Sequence, residues 1–172
     1  MLNENAGRFL EAIGNALSEN VSQITVEGDE SSRSLLFEVA SPFEENKLFG
    51  YDITLSEAGV GFILAEFMLI AFDGIPEERF DELQRIITAV NVPLTLGGFN
   101  LIPEHRAIEL RQGMIYGADA KSEDVAGNIL GTIDLMEDTV LLFGTYIDDF
   151  LKGRKTADEV IAEAEGFGGD SL

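Results

Sequence analysis

The chain lacks cysteine and tryptophan, has a single histidine, and carries only 11 basic side chains among its 172 residues. Without cysteine there is no disulfide, no thiol nucleophile and no zinc–thiolate centre. Basic residues are outnumbered by 32 acidic ones, giving a formal charge of -21. A phosphate backbone needs a lysine and arginine stripe, so nucleic acid is not an expected partner. His105 is the only candidate for serine–histidine–aspartate chemistry, and it falls in a predicted turn beside Glu104, where a solvated imidazole is the simplest reading. No Gly-x-Gly-x-x-Gly follows a strand pattern, and no glycine-rich loop ends in Lys-Ser or Lys-Thr, which removes the usual phosphate cradles.

Long hydrophobic runs are also scarce. The most apolar window, Val60 to Phe72, has Glu66 at its middle, and the stretch from Val125 to Ile147 contains Asp134, Glu137 and Asp138. A bilayer needs ~20 apolar residues, and central carboxylates are costly there, so no membrane contact is expected. No basic segment follows Met1, so no signal peptide is expected, and the expected location is the cytoplasm.

What the chain does have is an apolar fraction of 45%, with twelve phenylalanines, enough for one substantial core. Apolar residues at Ala6, Phe9, Leu10, Ile13 and Leu17 predict a first helix over 3–19. Alternation predicts strands at Ser22–Gly28, Ser34–Ala40, Lys47–Ser56 and Val60–Ala71, the last apolar on both faces as a central strand should be. Phe80, Leu83, Ile87 and Val90 stripe a second helix, Glu77–Val90, which Asn91 and Pro93 end. A hairpin follows, with a phase slip at Gly97-Gly98 that predicts a β-bulge. A long helix then runs from Ser122 to about Lys152. Its apolar stripe is widened by Leu130, Leu135, Leu141, Leu142 and Tyr146, and Gly127 and Gly131 invite a close backbone approach. Thr156 with Glu159 forms a capping-box pattern for a short last helix.

The expected architecture is α+β, ordered α-β(3-4)-α-β(2)-α, with an antiparallel sheet packed against helices. Residues 1–152 are expected to form a single domain and 153–172 a C-terminal tail with a possible short helix. Among carboxylates, Asp134 and Asp138 share a helix face four residues apart, but no Glu-x-x-His accompanies them and no EF-hand loop is present. Glu66 in its apolar strand is expected to be partly buried, at an edge, in a dimer contact or paired with Arg106 or Arg111. No metal and no cofactor is expected. Phe43, in the polar loop Pro42–Lys47, is a candidate contact for a partner protein or else folds back onto the sheet.

From Phe67 to Lys152 an apolar strand enters Gly74-Ile75-Pro76. A helix with Leu83, Ile86 and Ile87 then stops at Asn91, a hairpin runs through Gly98-Phe99-Asn100-Leu101 and Ala107-Ile108-Glu109-Leu110-Arg111, and a long helix closes the segment. This layout resembles the type III secretion chaperone-like superfamily, in particular the YbjN-type bacterial sensory transduction regulators. It departs from them in having four strands before the second helix, where three are usual. The resemblance implies a non-catalytic homodimer that holds an extended polypeptide. It implies a dimer interface at Leu83, Ile86, Ile87 and Val90 on the second helix, and partner binding near Phe9, Ile13, Phe49 and Tyr51. The expected function is a chaperone-like or regulatory protein-binding module. A small-molecule or divalent-metal-binding enzyme using Glu66 or the Asp134–Asp138 pair is the alternative. An acidic decoy for a nucleic-acid-binding protein is a third reading.

Overall fold

Helical and two-residue apolar periods alternate along the chain much as the architecture requires. The computed structural model describes residues 2–18, 21, 23–29, 32–45 and 47–167. Helices α1 (Leu2–Leu17), α2 (Phe80–Asn91), α3 (Ser122–Leu151) and α4 (Ala157–Phe167) accompany six strands: β1 (Ile24–Gly28), β2 (Ser32–Ala40), β3 (Leu48–Glu57), β4 (Phe62–Phe72), β5 (Gly98–Ile102) and β6 (Ala107–Gly117). The strands make one antiparallel sheet in the order β1-β2-β3-β4-β6-β5. Four strands precede α2, and the first of them is an edge.

One sheet face carries the core. Phe37, Tyr51 and Leu69 lie side by side across β2, β3 and β4, and Ile53 pairs with Phe67; all are buried. α1 packs over β2 and β3, α3 over β4 and β6, and α2 over β5. α4 lies against α2 and α3. Fully burying one such Phe or Leu contributes roughly 1.5–3 kcal/mol, so this single face accounts for most of the hydrophobic stabilisation.

Local chemistry pins the elements. The Asn91 side chain ends α2 by mimicking a strand: its amide donates to the Phe99 carbonyl at 2.9 Å and its oxygen accepts from the Phe99 N–H at 2.8 Å. No bulge forms at Gly97-Gly98: Gly97 leads into β5 and Gly98 opens it in register with Arg111. Gly97 has φ 71°, and a Cβ there would meet the Arg111 carbonyl at 2.6 Å. The register shift falls instead between Ile70 and Phe72 of β4. It returns Phe72 to the core face, where its ring stacks on Phe43 with centroids 5.3 Å apart.

The C-terminal segment is part of the domain and not a tail. Ala157, Val160 and Ala164 are buried in the same core as α2. The capping box forms, with the Thr156 N–H and hydroxyl both donating to Glu159 at 2.8 Å. Residues 168–172 of the expected tail lie outside the described residues.

Candidate functional site

Most of the expected contact residues are consumed by the fold. Leu83, Ile86, Ile87 and Val90 are 0–2% exposed, because α4 and the sheet cover the stripe that a second copy was expected to cover. Phe9, Ile13, Phe49 and Tyr51 are likewise 0–3% exposed. They point into the layer between α1, α3 and the sheet and offer no surface to a partner. Phe43 folds back. Its ring lies 6.2 Å from Phe49, and a Cβ on Gly144 would meet it at 3.1 Å, so this helical glycine makes room for the ring. The stripe glycines Gly127 and Gly131 face open space, so no backbone approaches them closely.

The carboxylates are dispersed. Glu66 is exposed, opposite Thr54 and Gly113 on the face away from the helices, contrary to the expected burial. Arg111 pairs with Glu109 at 3.0 Å, and Arg106 donates to the Ile75 carbonyl at 2.8 Å, so neither expected arginine is committed to Glu66. Asp134 and Asp138 are exposed on α3, and His105 is exposed in its turn. Among the described residues, no three histidine or carboxylate side chains are placed to hold a metal ion. Among the same residues, no helix is long and apolar enough to cross a membrane.

Two acidic groupings have defined roles. Asp148, buried at the end of α3, pairs with Lys152 at 3.0 Å and with Arg154, while Asp149 pairs with Arg154 at 2.7 Å and Lys155 at 3.1 Å. Burial alone would lift the Asp149 carboxyl. The hydrogen bonds and charges of Arg154 and Lys155 overcome it and hold the group below the ordinary carboxylate range. These pairs fasten the α3–α4 turn. The second grouping surrounds Tyr51, whose buried hydroxyl faces the Glu137 carboxyl of α3. Burial, then the charge of Glu137 and a hydrogen bond toward it, then the charge of Asp134, push that hydroxyl's pKa up. Burial followed by the Asp134 charge also raises the Glu137 carboxyl.

The remaining feature is the other side of the sheet. Among the described residues, the helices lie on one face of the sheet and no element lies over the opposite, bare one. Its residues alternate with the core positions: Leu36 and Glu38 on β2, Gly50, Asp52 and Thr54 on β3, Leu64, Glu66, Met68 and Ile70 on β4, Arg111 and Ile115 on β6. Ile115 is 66% exposed and Phe62 52%, an unusual display for a sheet in water. The expected two-faced burial of Val60–Ala71 therefore does not occur, although β4 is central in the strand order.

Near Gly50 this face is hollowed. A cavity of about 610 Å³, open to solvent, has β1–β4 as its floor, with Leu36, Leu48, Met68 and Ile70 as apolar walls and Glu38 and Asp52 as the charged ones. Register explains the shape: Gly50 sits between Glu38 and Ile70, and the next row places Asp52 between Leu36 and Met68. Gly50 is the missing side chain in the middle. It was visible in the sequence as the glycine inside the alternating strand Lys47–Ser56, where glycine marks a bend or a close approach. Asp52 accepts from the Thr54 hydroxyl at 2.8 Å, and Arg111 reaches across to the Met68 sulfur at 3.8 Å.

Compared with protein-family models and with curated proteins, the chain matches none.

Proposed function

We propose that this protein is a non-catalytic, polypeptide-binding module of chaperone-like or regulatory kind, and that it holds its partner on the bare face of the sheet. The observation that supports this reading is the helix-free face itself, with half-exposed apolar side chains around an open hollow. A reactive centre needs converging acid, base or nucleophile groups. Here the ionisable groups are spread along an open surface, and the apolar side chains converge instead. Apolar surface of this kind, rimmed by polar residues, marks protein interaction sites. The resemblance to secretion chaperones points the same way.

The test is methyl NMR of the full chain titrated with a chemically unfolded reporter protein. Signals of Leu36, Met68 and Ile70 on the bare face should move, while those of Leu83 and Ile86 should not. Suppression of the reporter's aggregation should be lost in Met68→Asp and Ile70→Asp. Absence of any response on the bare face, or a response confined to the exposed surface of α3, overturns the reading.

A further inference from the structure

We infer that the hollow at Gly50 takes a cationic amphipathic polypeptide segment, seating an apolar side chain over Gly50 while lysine or arginine pairs with Glu38 and Asp52. This rests on the reading of the bare sheet face as a polypeptide-binding surface and names the chemistry of its partner.

Three observations converge. The first is that the fold gives Gly50 no reason to be glycine. Its φ is not among the positive ones, and a Cβ would meet nothing within 4 Å. Glycine within a strand is destabilising by roughly 0.5–1 kcal/mol relative to a side chain that packs. Glycine here costs the fold stability, and what it leaves is space on the side facing solvent. The second is charge. Glu38 has no ion-pair partner among the described residues, and Asp52 accepts only the Thr54 hydroxyl. The bare face as a whole carries Glu27, Glu38, Asp52 and Glu66, while Glu109, buried on the same face, is matched by Arg111 at 3.0 Å. The third is the whole-molecule charge of -21, which repels an acidic occupant and, above all, a second copy of this chain. Apolar walls with an unpaired carboxylate rim are the complement of a segment bearing a leucine-type anchor between basic residues.

The experiment is fluorescence anisotropy with dye-labelled peptides of ~15 residues, a length that presents about four helical turns. The first has a leucine stripe flanked by lysines, the second replaces each lysine by glutamate, and the third scrambles the first. The lysine peptide should bind the full-length protein at least about tenfold more tightly than either control, with affinity falling as salt rises. Gly50→Val should weaken it by about tenfold or more, with the urea midpoint unchanged or raised, since valine is a better strand former. Gly50→Ala supplies a milder filling of the same space. Glu38→Lys/Asp52→Lys should reverse the preference between the lysine and glutamate peptides.

Equal binding of the lysine and scrambled peptides, or undiminished binding to a folded Gly50→Val protein, overturns the inference. So does a dimer in sedimentation of the protein alone that Gly50→Val dissociates, because the occupant is then a second copy. The two proposals fail separately. If unfolded reporter protein moves the Leu36, Met68 and Ile70 signals while lysine and glutamate peptides bind alike, the binding face stands and the cationic partner falls. If no probe moves those signals, both fall.

Discussion

Phe67 and Met68 are consecutive residues of β4 and face opposite ways. Phe67 is wholly buried between the sheet and its helices, paired across the strand with Gln112 and Ile53, while Met68 lies half-covered on the bare face beside Asp52 and Arg111. The backbone hydrogen bonds that hold the two are the same ladders. What differs is everything perpendicular to the sheet: one side has three helices against it and the other has water. Stability and binding are thereby assigned to opposite faces of the same strands, which allows the binding face to be altered without unfolding the domain.

Phe67→Ala should cost about 3–5 kcal/mol in urea unfolding, whereas Met68→Ala should stay below about 1 kcal/mol. Comparable losses would mean that the bare face is covered in solution. Next, Ile86→Ala should cost about 2–5 kcal/mol without changing the sedimentation coefficient of the folded fraction, because α4 and not a second copy covers that side chain. A concentration-dependent loss would restore α2 as a dimer interface.

The smallest effect is the pH dependence of the α3–α4 fastening. The Asp149 carboxyl is lowered in the folded chain, so its contribution is complete above about pH 4, its ordinary range, and is lost as pH falls through the lowered value. Because its partners are half in water, the contribution is a few tenths of a kcal/mol to about 1 kcal/mol. The difference in urea midpoint between the parent and Asp149→Asn should shrink between pH 5 and pH 3. A difference that persists at pH 3 would show that the aspartate acts through packing.

Periodicity located nearly all of this fold. The alternation in Lys47–Ser56 put Phe49, Tyr51, Ile53 and Leu55 on one side, and the structure buries those four. The α2 stripe and the capping box at Thr156 were equally plain. What a stripe cannot say is what covers it. The resemblance assigns Leu83, Ile86, Ile87 and Val90 to a second copy, and nothing in their spacing tells that α4 covers them instead. β4 misled in the opposite direction. Leu64, Met68 and Ile70 made the strand look buried on both sides, yet their cover is only their neighbours in the sheet. The hollow left one trace, Gly50, and its meaning depends on Glu38 and Ile70 sitting beside it, a juxtaposition set by strand register twelve residues back along the chain and twenty residues ahead.

The borders of the sheet bear on its behaviour at high concentration. β1 forms one border and spans only five residues, ending at Gly28 with φ 114°, where a Cβ would collide with the Ser32 carbonyl at 2.3 Å. So short a strand, with Glu27 exposed on it and a kinked exit, is a poor template for an incoming strand. The opposite border, β5, is equally short and is guarded by α2 and Asn91. A molecule that leaves a greasy plane uncovered is thus protected at both rims from the end-to-end stacking that seeds cross-β fibrils.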